Sequence, residues 1–245
     1  MSQWEEERDA DGLERETGQT MGVITFLDVL GWKKIYTREE APLDKMFGLI
    51  DEIATAASRY GSPVCPCEVR SISDTIVLYS TNVSSIKSTV SMHGQVCAKA
   101  IAESIHANIP VRGATAVGEF EVRGNIYVGK AIDEAASWYE SADWIGVHLT
   151  PSAMFAVDSE DLLFEDGNPL PHWTTYEAPV KGISKHRVPC VAWIDAWKET
   201  SLFRGQTPRK QLLSTFSDMS PITPDFASKF INTLKFFDDI TARQE

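Results

Sequence analysis

Two aspartates stand inside the most apolar, β-forming stretches of the chain: Asp28 in VITFLDVLGW (23–32) and Asp74 in EVRSISDTIVLYS (68–80). A carboxylate among β-branched and aromatic neighbours is costly unless its charge is paired or bound to a cation. Asp28 sits between Leu27 and Val29, and Asp74 is expected to share a strand face with Ile72 and Ile76. A single aspartate of this kind is more often a turn or capping residue. Two, on strands that one sheet could set side by side, point to a shared divalent-cation site.

The rest of the chain supplies the elements for such a sheet. VITFLDVLGW reads as a buried strand running into a turn at Gly31. From Pro42 to Tyr60, Leu43, Phe47, Ile50 and Ile53–Ala54 recur at three- to four-residue spacing, which predicts an amphipathic helix ended by Gly61-Ser62-Pro63. EVRSISDTIVLYS is one long strand or a hairpin of two. A second helix lies within 83–108, a strand pair around a turn in VRGATAVGEFEVRGNIYVG (111–129), and a third helix in AIDEAASWYESA (131–142). WIGVHLTPSA (144–153) holds a short strand before a proline turn, and further strands are expected around 173–180 and 188–195. Helices interleaved with hairpins predict an α+β sandwich, with helices on one face of a mostly antiparallel sheet. TPDFASKFINTLKFFDDI (223–240) begins with a helix-start signal and sets Phe226, Phe230, Ile231, Leu234 and Phe237 along one stripe. It reads as a helix packed on its own domain, the alternative being an added dimer contact.

Composition narrows the function classes. Residues 1–20 are charged and nearly devoid of apolar anchors, so they read as a disordered acidic leader; 21–197 is taken as the catalytic domain and 198–245 as a C-terminal helical extension. The formal charge of −12 speaks against a nucleic-acid partner. No stretch reaches the roughly 18 apolar residues of a membrane span and the N-terminus lacks signal-peptide character, so a cytoplasmic protein without a membrane partner is expected. The four cysteines include Cys65-Pro66-Cys67, too closely spaced for a zinc ribbon, and read as ordinary reduced thiols.

Taken in order, these segments match a known pattern. FLDVLGW (26–32) resembles the first metal motif of the class III nucleotide cyclases, with Asp28 and the Val29 carbonyl as ligands, and SISDTIV (71–77) resembles the second, with Asp74. PVRGATAVGEF (110–120) is similar to the family's Arg-x-Gly strand, YVGKAIDEAASWYESA (127–142) to its Gly…Val-Asn-x-Ala-x-Arg helix start, and VKGISKHRV (180–188) to its closing Val-Lys-Gly element. The resemblance runs in register from about residue 22 to residue 195. It implies the family's ferredoxin-like βαββαβ core, a homodimer with composite sites, and two Mn²⁺ or Mg²⁺ ions per site bridged by Asp28 and Asp74. By the same resemblance the amides of Gly31, Trp32 and Lys33, at the start of a helix, and the Lys181 side chain face the triphosphate, while Arg112 is more often structural. The plainer alternatives for the first two are a turn glycine and a surface lysine.

Departures from the family pattern are specific. Counted from Gly129, the transition-state asparagine falls on Asp133 and the arginine on Ser137. The base-reading position four residues before the second aspartate, lysine in adenylate and glutamate in guanylate cyclases, is Arg70, and its partner three residues before Gly129 is Ile126. With its acidic leader, the chain most resembles the pyrimidine cyclases of bacterial Pycsar antiphage defence, closest to the uridylate cyclases. That implies conversion of UTP to 3′,5′-cyclic UMP and pyrophosphate, Asp133 serving catalysis, and a separately encoded effector activated by the product. The alternatives are a cytidylate cyclase and, given Ser137 and Asp133, a catalytically dead nucleotide-binding sensor of the same fold. A Gly-Gly-Asp/Glu-Glu-Phe loop and a nucleophile elbow are both missing, and the five histidines are scattered.

Overall fold

The computed structural model describes residues 18–33, 35–37, 39–157, 164–165, 168–169, 172–182, 187–201, 205–219 and 223–244. The expected leader, up to residue 17, lies outside the described residues.

The chain opens with β1 (Thr20–Val29), α1 (Pro42–Tyr60), β2 (Glu68–Ile72), β3 (Thr75–Thr81), α2 (Ile86–His106) and β4 (Val111–Arg123). The sheet order β2-β3-β1-β4 is the antiparallel arrangement of a βαββαβ unit. β5 (Ile126–Gly129) hairpins back onto the end of β4, and α3 (Lys130–Ser141) crosses over to β6 (Val147–Leu149), which pairs parallel to its neighbour β4. After α4 (Pro151–Ala156) come the short pair β7 (Phe164–Glu165) and β8 (Asn168–Pro169), then β9 (Trp173–Glu177) and β10 (Arg187–Val191), which extends the sheet beyond β6. The described chain closes with α5 (Ile194–Thr200), α6 (Pro208–Asp218) and α7 (Pro224–Gln244). None of the described helices is long and apolar enough to cross a membrane.

Alternation along β1 sorts the core into two layers. Val23, Leu27 and Val29 join Ile53 of α1, Val96 and Ile101 of α2, and Trp197, Phe216 and Phe236 of the closing helices in one large cluster. Ile24 and Phe26 face the other way, onto Ala131, Ile132 and Ala135 of α3. Helices therefore cover both faces of the sheet, where one face was expected. α3 lies on the opposite face because Ile24 and Phe26 alternate with the β1 residues that face α1 and α2, and its Ala131, Ile132 and Ala135 cover them.

The α1 stripe is rotated from expectation, while the α7 stripe holds except at Ile231, with Phe226 and Leu234 packed against the core beside Phe230 and Phe237. α1 buries Met46, Leu49, Ile53, Ala56 and Ala57, while Leu43 and Phe47 stay exposed. In α7, Phe230, Phe236, Phe237 and Ile240 are buried together with Lys229 and Thr233, and Ile231 is exposed. Mid-helix Gly94 of α2 serves the opposite strand: a Cβ there would lie 1.9 Å from the Trp173 indole nitrogen, so the ring packs on bare backbone.

Two histidines are sealed in the core. His93 joins Thr25 (3.0 Å) and Ser80 (3.2 Å), and neither ring nitrogen of His148 has a partner among the described residues. Burial pushes His93 down to about 3 and His148 to about 4. Both stay neutral in the fold and take up a proton when unfolded below about pH 6.5. The lowered folded values mean that the unfolded state binds the extra protons, so stability is full above that pH and falls on acidification. The urea midpoint should therefore drop between pH 6.5 and pH 5, at about 1.4 kcal/mol per pH unit for each histidine. His148→Leu should remove that histidine's share of the slope, leaving those of His93 and of His106 and His172, which burial also lowers; an unchanged slope would mean that the ring is solvated.

Candidate active site

Asp28 occupies the next-to-last position of β1, opposite Thr75 on β3 and Arg112 on β4. The Arg112 Nε donates to Asp28 Oδ2 at 3.0 Å, and its Nη1 donates to the carbonyls of Glu140 (2.8 Å) and Ala142 (2.9 Å) at the end of α3. Asp74 lies in the two-residue turn between β2 and β3, where Ser73 takes a left-handed φ of 56°. Its carbonyl accepts the Val29 N–H at 3.1 Å. That backbone bond fastens the hairpin turn to the end of β1, so the two predicted aspartates meet.

The turn corrects one expectation. Because the hairpin pairs Ile72 with Thr75 and Ser71 with Ile76, Ile72 and Ile76 point to opposite faces rather than the same one. Arg70 accordingly sits opposite Val77, two residues along the sheet from the Asp28 level and two strands across.

Asp28 is held above the ordinary carboxylate range: burial raises it, Arg112 lowers it by charge and hydrogen bond, and Asp74 and Glu140 raise it again. One guanidinium thus incompletely offsets desolvation and a neighbouring like charge, the electrostatic signature of a place that favours an added cation. The ligating atoms on hand are two carboxylates and backbone carbonyls. Among the described residues no cluster of three or more His, Cys, Asp or Glu side chains could hold a metal. A hard, oxygen-only set with room for water and phosphate oxygens fits Mg²⁺ or Mn²⁺ and fits Zn²⁺ poorly.

The loop after β1 departs from expectation. Gly31 has φ 73°, the Trp32 N–H donates to the Val29 carbonyl at 3.4 Å, and Lys33 is exposed. The chain then makes a single 3₁₀ turn, Ile35–Thr37, and α1 begins only at Pro42. Gly31, Trp32 and Lys33 are therefore not the first turn of an α-helix, and the Val29 carbonyl already accepts one bond. Lys181 is exposed at a turn, with its N–H on the Ser141 carbonyl at 2.8 Å, so it borders the segment that Arg112 grips. Residues 183–186 of the same motif lie outside the described residues.

Asp133 is exposed in the first turn of α3. It precedes Tyr139, whose hydroxyl is raised by burial and then by Asp28, by six residues, about 9 Å along the helix. It does not join Asp28 and Asp74 within one chain. Ser137 Oγ turns back to the Asp133 carbonyl at 2.7 Å.

Arg70 lines an open cleft of about 640 Å³ with Glu68, Tyr79, Asn82, Phe120 and Arg123. It lies 3.5 Å from Glu68 and shares the cleft with the Tyr79 hydroxyl. Tyr79 and Tyr127 meet edge to face at 6.1 Å. Ile126, the expected partner of Arg70, is 72% exposed on the other face of β5. Arg70 thus has Tyr79 beside it across the hairpin, with Tyr127, one residue on from Ile126, packed against Tyr79. Sequence reasoning passes over both tyrosines, and only the position of the Ser73-Asp74 turn could have found Tyr79.

No protein-family model matches the chain, and no curated protein matches it by sequence. Solved structures do. The catalytic core of a rhodopsin-guanylyl cyclase with converted specificity, in complex with ATPαS, aligns with TM-score 0.50 at 15% identity over 73% of this chain and 98% of its own. The dimeric guanylyl cyclase domain of the RhoGC fusion protein from the aquatic fungus Blastocladiella emersonii aligns with TM-score 0.51 at 14% identity over 71% and 97%. The monomeric form of that domain gives TM-score 0.51 at 13% identity over 71% and 96%. At such identities the likeness is one of architecture, and the chain has the α+β fold of a nucleotide cyclase catalytic domain.

Proposed function

We propose that the protein is a homodimeric nucleotide cyclase of the class III type that converts UTP to 3′,5′-cyclic UMP and pyrophosphate. The observation that carries this reading is the juxtaposition of Asp28 and Asp74 on a cyclase fold, fastened by the bond from the Val29 N–H to the Asp74 carbonyl. A nucleotide sensor without chemistry has no use for two such carboxylates, whose repulsion and desolvation destabilise the apo fold.

In the reaction the ribose 3′-oxygen bonds to the α-phosphorus, the bond from that phosphorus to the bridging oxygen breaks, and pyrophosphate departs. The 3′-hydroxyl proton passes to solvent. Asp28, Asp74 and the Val29 carbonyl would hold divalent ions, Mn²⁺ or Mg²⁺, which acidify the 3′-hydroxyl and neutralise the phosphates. Arg112 orients Asp28. Lys181 meets the γ-phosphate, and the Gly31–Lys33 loop lies along the triphosphate. Arg70, with Tyr79 beside it, reads the base, and Asp133 acts on the site whose metal ligands come from the partner subunit. A pyrimidine substrate and a messenger role in antiphage defence, read by a separate effector, rest on the sequence resemblance and on Arg70 in place of the purine-reading residues.

The deciding experiment offers each of the four nucleoside triphosphates with Mn²⁺ and identifies products by mass spectrometry. UTP should lead and CTP follow, with ATP and GTP at least about tenfold slower, a difference of about 1.4 kcal/mol. Arg70→Ala should erase most of that preference, because a hydrogen bond from a charged group contributes about 1.5–3 kcal/mol. A lead for ATP or GTP would overturn the pyrimidine assignment, and cyclic CMP as main product would make this a cytidylate cyclase.

A further inference from the structure

The segment from Glu140 to Ile145 is gripped from two directions. On the site side, Arg112 Nη1 donates to the carbonyls of Glu140 and Ala142. On the other side, four residues of α7 converge on it. Ser228 Oγ donates to Asp143 Oδ1 at 2.9 Å and Lys229 Nζ to the same oxygen at 3.3 Å. Asn232 Nδ2 donates to the Asp143 carbonyl at 2.8 Å, and Thr233 Oγ1 accepts the Ile145 N–H at 2.8 Å. Lys229 is 5% exposed and Thr233 fully buried. A helix that merely covered apolar surface would leave its lysine in water, whereas here the ammonium is buried against a carboxylate.

The consequence reaches Asp28 through Arg112. A guanidinium left to itself meets a carboxylate as a fork and takes both oxygens. Arg112 offers Asp28 one bond, from Nε to Oδ2, while Nη1, on the far edge of the same planar group, holds the two carbonyls and so fixes the plane in which Nε points. The other oxygen of Asp28 stays clear of Arg112. We propose that α7 is a positioning element for the cation site: Ser228, Lys229, Asn232 and Thr233 fix the 140–145 segment, that segment fixes Arg112, and Arg112 so held sets the orientation in which Asp28 meets a cation. The inference rests on reading Asp28 and Asp74 as cation ligands.

The test is calorimetric titration of Mn²⁺ into the full chain without nucleotide. Lys229→Met and Asn232→Ala should each weaken Mn²⁺ binding about tenfold, as loss of a residue supporting a ligand generally does. Lys229→Arg, which restores the pair with Asp143, should bind nearly as wild type. Should Lys229→Met fail to fold, Asn232→Ala, at a partly exposed position, decides alone. Unchanged Mn²⁺ affinity in the folded variants, whatever their melting temperatures, would overturn the positioning role while leaving the cation site standing. Failure of the wild-type chain to bind Mn²⁺ would overturn both.

Discussion

Replacing Asp28 or Asp74 with asparagine should lower turnover on the order of a thousandfold or more, since each aspartate is asked to hold ions that supply several kcal/mol of transition-state stabilisation. Asparagine keeps the volume and removes the charge. For Asp28 the structural cost is small: Arg112 loses a charged partner but keeps its carbonyl bonds, while the burial penalty and the repulsion from Asp74 disappear together. The melting temperature should stay close to that of the wild type. Product formation by mass spectrometry and a thermal melt on the same preparation separate chemistry from folding. Activity within tenfold of wild type in either folded variant would remove the metal assignment.

The second large effect concerns where the site lies. Asp133 is about 9 Å along α3 from the residue facing Asp28, and Arg70 is two strands away, so one chain does not gather all the expected site residues around Asp28 and Asp74. A two-fold dimer would bring the missing half from the partner subunit. Asp74→Asn and Asp133→Ala homodimers should then each be inactive. In a mixed dimer, one site takes its metal half from the Asp133→Ala chain and its other half from the Asp74→Asn chain, and both halves are wild type. Random exchange at equal amounts makes about half the dimers mixed, each with one working site of two, so roughly a quarter of wild-type activity should return. Verified exchange without recovery would place the whole site within one chain.

The element order is legible in the sequence because β-branched strands and capped helices carry local signals, and Asp28 because a carboxylate in an apolar strand is costly wherever it occurs; Asp74, expected inside a strand, lies in the turn between two. What escapes depends on register. The Ser73-Asp74 turn decides which residues share a sheet face, and the apolar run on either side of it leaves one long strand and a hairpin of two both open. Hence sequence reasoning puts Ile72 on the wrong face and overlooks Tyr79 beside Arg70 and Tyr127 packed against Tyr79. The helix expected after Lys33 is a 3₁₀ turn, because the glycine at 31 signals only that the strand ends. Arg112, whose motif suggests a structural residue, pairs with Asp28, a contact between strands 84 positions apart that no local pattern announces.

The placement of the two carboxylates has a kinetic side. β1 is hydrogen-bonded along its length on both flanks, by β3 and by β4, whereas the turn bearing Asp74 joins β3 to β2, the last strand at that edge of the sheet. Amide exchange slows where opening demands that many bonds break at once, and quickens at edges and turns. Asp28 therefore rides on the part of the molecule expected to open last, while the turn bearing Asp74 is tied to β1 at its tip by the Val29 bond and then by the β1–β3 ladder that begins at Thr75. Of the two carboxylates, the one expected to exchange its surroundings sooner is Asp74, through opening of the turn ahead of the ladder.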